Sequence, residues 1–346
     1  MIKQSQFRPA TGLGNRHLQT ILASSPARPR PAVPLRRETL ELPDGDFVHV
    51  DWVSQQDSDD QRPLMLVLHG LEGSVRSRYA ASVLHAANRG GLGAALLNAR
   101  GCSGVPNRKA AAYHAGHTAD FDFFLQDIKR RWPGRPVVAV GYSLGGNALL
   151  KYVGQQGSNC ALHAAVAVSV PFDLTDSAGA IDSGFARFYQ WILMRRMRAS
   201  VERKLPDHEM PVTAEQLPTL RSFSDFDERV TAPLHGFASG REYYEQSSCG
   251  QYLSGIQIPT LIIHAKDDPF MTPACVPSAD MLSEHVTLEL STRGGHVGFL
   301  EGGLPFRLRS WLEPRILAHF REHLAATTAT NENAGDDAGE SLTATG

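Results

Sequence analysis

Several classes of protein are excluded by what this chain has little of. Its four cysteines, Cys102, Cys160, Cys249 and Cys275, form no C-x-x-C pair. No zinc ribbon or disulfide framework follows from them, and reduced thiols are the default. No run of 18 apolar residues occurs, so no transmembrane helix is expected. Neither sign of charge dominates: 34 basic against 36 acidic residues leave −2, with no electrostatic footprint for nucleic acid. There is no internal repeat, and the opening MIKQSQFRPATG lacks the apolar centre of a secretory signal. With 42% hydrophobic and 20% charged residues, the expectation is an ordinary globular protein residing in the cytoplasm.

What is present is organised around residues 137–151, VVAVGYSLGGNALLK. The run Val137-Val138-Ala139-Val140, rich in β-branched residues and preceded by Pro136, reads as a buried parallel strand. Gly141-Tyr142-Ser143-Leu144-Gly145 then makes a sharp turn into a stretch with helical apolar spacing. Strand, G-x-S-x-G and helix in succession form a nucleophile elbow. The glycines let backbone segments approach closely, and the following helix aims its N–H groups at the place where an oxyanion would form.

Around this stretch, strands and helices alternate. A proline- and arginine-dotted arm over residues 1–36 carries one short helical piece near Asn15 to Leu22. Residues 37–42 and 47–53 alternate apolar and polar around Asp44-Gly45, an antiparallel hairpin signal. Strands are expected at 64–68, 93–97, 164–170, 258–263 and 286–290, and helices at 76–88, 118–131, 273–283 and 304–325. This pattern predicts an α/β fold with a mainly parallel central sheet and an antiparallel N-terminal hairpin. Residues 37–171 and 251–325 would form the core. Residues 172–250 are helically periodic with no strand signal and are read as a helical lid insertion above the strand ends. From Ala326 the tail is small, polar and aromatic-free, hence expected to be disordered.

An elbow serine needs a base, and the base needs something to hold it. The chain order serine, acid, histidine expected for this architecture is met by Ser143, Asp268 and His296. Asp268 follows the strand ending at Ile263, within His264-Ala-Lys-Asp-Asp-Pro-Phe270. Its neighbour Asp267 is the alternative acid. His296 lies in the glycine-rich Arg293-Gly-Gly-His-Val-Gly-Phe299. The two oxyanion N–H groups fall on Leu144, the residue after the serine, and on Leu71 in His69-Gly-Leu-Glu-Gly73. His69 is read as buttressing that loop. Cys102 is read as packing, and Ser103 lacks the elbow context. His114, His117 and Asp120 have thin metal-ligand spacing, with Thr118 or Asp120 better explained as a helix cap. No metal and no cofactor is expected. Arg195, Arg196 and Arg198 are read as a solvated helix face, with an anionic head group as the alternative role.

Taken together, NRHLQTIL, LHGLEGS, RGCSGVPNR with YHAGHTADF, GYSLGGNALLKYVG, AKDDPF and GGHVGF resemble the YheT-like α/β-hydrolases, a group related to the abhydrolase-domain lipases of animals. The likeness runs from Asn15 to the last helix and is weakest in the lid. It implies the α/β-hydrolase fold and a serine hydrolase acting on carboxylic esters, including lipid and medium-chain acyl esters. The family's nucleophile falls on Ser143, its histidine on His296 and its acid on the Asp267-Asp268 pair. His117 departs from the pattern, where an acidic or polar residue is expected.

The expected reaction is ester cleavage through an acyl-serine intermediate, on a small-molecule or lipid ester and with no nucleic acid partner. A thioesterase or acyltransferase with the same triad is the alternative within the enzyme class. A non-catalytic binding protein is the alternative outside it, although no triad member is missing. Ser143 excludes the epoxide and haloalkane hydrolases, which carry aspartate at the elbow. Peripheral membrane contact stays open.

Overall fold

The apolar runs of the sequence assemble into one nine-stranded sheet in the computed structural model, which describes all residues except 27, 54–59, 303–307 and 340–346, and the side chains of 326–339. In chain order the strands are β1 (Ile2–Gln4), β2 (Leu35–Glu41), β3 (Phe47–Val53), β4 (Leu64–Leu68), β5 (Gly93–Asn98), β6 (Val137–Tyr142), β7 (Ala164–Val168), β8 (Thr260–Ala265) and β9 (Val286–Ser291). A small separate pair is formed by β10 (Leu300–Glu301) and β11 (Arg309–Ser310). The order across the main sheet is β1-β9-β8-β7-β6-β4-β5-β3-β2. Every pairing from β1 to β5 is parallel, whereas β3 joins β5 and β2 joins β3 antiparallel. The leading hairpin thus closes one edge of a mainly parallel sheet, as its Asp-Gly turn predicts.

Helices cover both faces, which is why the central strands read as unbroken apolar runs. The helices are α1 (Arg16–Ser24), α2 (Arg78–Arg89), α3 (Ala119–Arg131), α4 (Leu144–Gln156), α5 (Leu174–Ile181), α6 (Ala186–Glu202), α7 (Phe223–Phe226), α8 (Ala232–His235), α9 (Gly240–Ser247) and α10 (Leu312–Gly339). Along β4 the side chains divide between the layers. Leu64, Leu66 and Leu68 face the core shared with α3 and α4, and Met65 and Val67 the core shared with α2 and α10. From α5 to α9, with a π-helical turn at Asp227–Thr231, the chain forms a helical insertion between β7 and β8. No helix among the described residues is long and apolar enough to cross a membrane.

Three local expectations change. Residues 273–283 make two short 3₁₀ turns, Pro273–Cys275 and Ala279–Met281, instead of a helix. Pro277 lacks an N–H and pushes Val276 out of the helical region. The last helix starts at Leu312 instead of 304, with β11 before it, and Pro314 sits in its first turn, where no N–H is needed. The N-terminus supplies the unexpected strand β1, paired with β9. The expected disordered tail from Ala326 falls on residues outside the described side chains and, from 340, outside the described backbone.

The N-terminal stretch is built into the molecule. Phe7 packs edge-on against Phe299 at 5.1 Å, and Ala10, Leu13 and Ala23 pack with Leu300. The fully buried Gln19 locks α1 to the chain before β11: its Nε2 donates to Leu13 O at 2.9 Å and Leu300 O at 3.1 Å, and its Oε1 accepts Leu300 N–H at 2.7 Å. Gln19→Leu keeps the bulk but strands these backbone groups, and is expected to cost about 2–4 kcal/mol, read as a lower Tm.

Several histidines are buried neutral. Burial lowers the pKa of His69 and of His264 to about 4, and that of His319 to about 3. Between those values and the unfolded value of 6.5, only the unfolded chain binds the protons. Stability is therefore full above pH 6.5 and falls as the pH drops toward 4. Tm measured across that window is expected to decline, and His264→Asn to flatten part of the slope.

Candidate active site

Strand β6 ends at Tyr142 and α4 begins at Leu144, so Ser143 alone makes the turn. Its φ of 52° and ψ of −120° are strained for an L-residue. Packing that only glycine permits holds the turn. A Cβ on Gly145 would stand 2.4 Å from His69 O and 2.5 Å from Leu68 O, and one on Gly141 2.5 Å from Gly145 O.

Two further chain segments meet the serine. His296 Nε2 lies 3.0 Å from Ser143 Oγ, and His296 Nδ1 lies 2.9 Å from Asp268 Oδ2. Asp268 is 1% exposed and its other oxygen accepts Phe270 N–H at 2.9 Å. Of the two adjacent aspartates, Asp268 touches the imidazole. Asp267 accepts Gly295 N–H at 3.0 Å and so shapes the loop, while burial raises its pKa.

The histidine loop is clamped from three sides. The His296 N–H donates to Thr20 Oγ1 of α1 at 2.9 Å, and the Val297 N–H to Ser169 Oγ, just past β7, at 3.0 Å. The Phe270 ring stacks on the imidazole, 3.9 Å between centroids and 4° between planes. None of Thr20, Ser169 or Phe270 announces this role in the sequence. Phe270 carries a weak signal, two residues past the acid in the same turn.

Leu71 and Leu144 border the same cavity as Ser143 and His296. Leu144 is the first residue of α4, so its N–H has no acceptor within the helix. The loop holding Leu71 is pinned by His69. The His69 Nε2 accepts Ala99 N–H at 3.0 Å, which leaves Nδ1 to donate to Gly70 O at 2.7 Å. Tyr79 Oη accepts Gly70 N–H at 2.9 Å. Glu72 sits beside Leu71 at φ 52°. Its carboxylate accepts from Ser200 of α6 at 3.0 Å, and burial raises its pKa. It ties the Leu71 loop to the helical insertion, and nothing in the sequence singles it out.

The cavity measures about 160 Å³, with walls that include Leu71, Leu174, Ile181, Met197 and Val230. Most of these side chains come from the insertion, so the elbow meets an apolar chamber roofed by helices.

Of the remaining candidates, His114 borders the same cavity as Ser143. Burial drives the Cys102 thiol well above its ordinary pKa. Ser103 Oγ is 2.7 Å from His49 Nδ1, beside the hairpin. Asp120 accepts from Nε and Nη2 of Arg100 at 2.8 and 2.7 Å and lies 3.0 Å from His117 Nε2. Thr118 precedes α3 as its cap residue without a side-chain cap bond. Burial and the nearby His235 lower the His114 pKa to about 2. Arg195 and Arg196 are exposed on α6 and Arg198 is half-buried. None of the three is among the described residues lining the cavity.

Comparison with known proteins agrees with this architecture. Residues 63–303 match the α/β-hydrolase fold family. The chain is 41% identical to the "Putative esterase YheT" of Escherichia coli (strain K12), over 90% of this chain and 92% of that one. It is 33% identical to a monoacylglycerol lipase of Saccharomyces cerevisiae, over 70% of this chain and 56% of that one. The solved esterase Pf2001 of Pyrococcus furiosus superposes with a TM-score of 0.50 at 12% identity, over 86% of this chain and 91% of that one, a likeness of fold alone. The chain belongs to the α/β-hydrolase family, alongside YheT, and is an esterase/lipase-type enzyme.

Proposed function

We propose that the chain is a serine hydrolase that cleaves lipid or medium-chain acyl esters through an acyl enzyme on Ser143. The observation that carries this reading is the pair of contacts, 3.0 and 2.9 Å, that join Ser143 to His296 and His296 to Asp268 at an apolar cavity. In this reading His296 Nε2 takes the hydroxyl proton as Ser143 Oγ attacks the ester carbonyl carbon. The tetrahedral oxyanion accepts hydrogen bonds from the N–H groups of Leu71 and Leu144. Asp268 holds His296 with its Nδ1 protonated and stabilises the imidazolium. His296 then gives the proton to the departing alkoxide. Water attacks the acyl enzyme with His296 as base, releasing the carboxylic acid and restoring Ser143. Apolar walls suit an acyl chain, and the related monoacylglycerol lipase has a lipid ester in its name.

Steady-state hydrolysis of p-nitrophenyl esters from acetyl to lauroyl tests this. Ser143→Ala is expected to abolish turnover, and the optimum to lie beyond acetyl. The paired aspartates give a sharper check. Asp268→Asn is expected to lower kcat by ~10³–10⁴, because the imidazole loses its tautomer control. Asp267→Asn, which disturbs the backbone of the histidine loop and not the imidazole, is expected to cost less than about tenfold. Equal losses in the two variants, or an active Ser143→Ala, would contradict the reading.

A further inference from the structure

Nine large apolar side chains are exposed among the described residues, and three of them cluster at the start of one helix: Phe185, just before α6, and Phe188 and Trp191 within it. They are 52%, 46% and 52% exposed. Their rings form a continuous surface, with Phe185 5.7 Å from Phe188 and Phe188 stacked 6.2 Å from Trp191. Helix α1 extends it. The His17 ring lies 4.6 Å from Phe185, and the neighbouring Leu18 is 43% exposed. Contiguous exposed aromatics of this kind mark an interaction surface.

Arginines stand beside it. Helical spacing puts Arg187, Arg195 and Arg198 on the Trp191 side of α6. The Arg195 guanidinium lies over the indole, 5.0 Å from its centroid. Arg16 is exposed on α1 beside Leu18. From residue 182 to the end of α6 the acidic residues are two. Asp182, ahead of the helix, accepts from Gln190 at 2.8 Å, and Glu202 is the last residue of α6.

We propose that this face docks on an anionic lipid bilayer. Aromatic rings with arginines beside them suit the headgroup boundary, where the rings enter and the cations meet lipid phosphates. A second copy of the chain fits less well. A two-fold contact would set the arginine row against itself. The opposite side of α6 gives Leu193, Met197 and Val201 to the cavity, so the docked surface and the cavity are separated by one helix, about 10 Å across. The inference extends the ester-hydrolase reading by naming where the ester is held. Vesicle binding is read without turnover, so either can fail alone.

Co-sedimentation of the full chain with phosphatidylcholine vesicles containing phosphatidylglycerol, against phosphatidylcholine alone, tests it. Binding to the anionic vesicles is expected, with a blue shift of Trp191 emission. Phe188→Ser with Trp191→Ser should weaken binding at least about tenfold, while hydrolysis of a soluble short-chain ester stays at the wild-type rate. Arg187→Glu with Arg195→Glu should remove the preference for anionic vesicles. Absence of vesicle binding by the wild type, or equal binding by wild type and the Phe188/Trp191 variant, would overturn the proposal. A wild-type dimer that dissociates in the same variant, with no vesicle binding, would assign the face to a second copy instead.

Discussion

A strand that becomes a helix within one residue leaves Ser143 at φ 52° and ψ −120°, and the surrounding elements are packed to keep it there. Relaxing this conformation would release ~1–3 kcal/mol, so it persists only because its neighbours admit no alternative. Helix α4 is pressed onto the end of β4 through Gly145, and onto its own strand through Gly141. The same close approach brings the β4 loop beside the serine, where a Cβ on Gly70 would stand 3.2 Å from Ser143 Cβ. Exposure of the hydroxyl, the free N–H of Leu144 and the nearness of Leu71 all follow from one tight crossing.

The second requirement is a histidine brought in from 153 residues away in the chain. Its loop is unusual in its backbone. Gly295, Val297 and Phe299 all have positive φ, and two of these are not glycine. The loop is supported by what packs beneath it: α1 through Thr20 and Gln19, β7 through Ser169, and the acid turn through Asp267 and Phe270. A Cβ on Gly295 would meet Arg16 O at 2.5 Å, which shows how closely the N-terminal helix approaches. That helix lies between β1 and the leading hairpin, far from the serine in the chain, yet it helps to position His296.

How much of this was legible depended on the range of the interaction that determines it. The elbow at 141–145, the buried strands and the chain order of Ser143, Asp268 and His296 are local patterns, and they read directly. The sequence favours Asp268 over its neighbour Asp267, and the structure adds what separates them: Asp268 Oδ2 meets His296 Nδ1, whereas Asp267 holds the Gly295 N–H. The roles of Thr20, Gln19, Ser169 and Glu72 were hidden, since a hydrogen bond across more than a hundred residues leaves no periodicity. Strand β1 was missed because three residues, Ile2–Gln4, are too short to alternate visibly. The helix expected over 273–283 was a misreading of composition, in which the interior Pro277 outweighs the helical propensity around it.

A chemical label is the most direct test of the central claim that Ser143 is the activated nucleophile. A fluorophosphonate reacts only with a serine whose proton has a base to accept it. Peptide mass spectrometry after labelling of the intact chain would then locate the adduct. The expected result is one phosphonate, on the peptide bearing Ser143, suppressed when His296 is replaced by alanine. An adduct on Ser103 or elsewhere, or labelling of Ser143 that survives loss of His296, would contradict it.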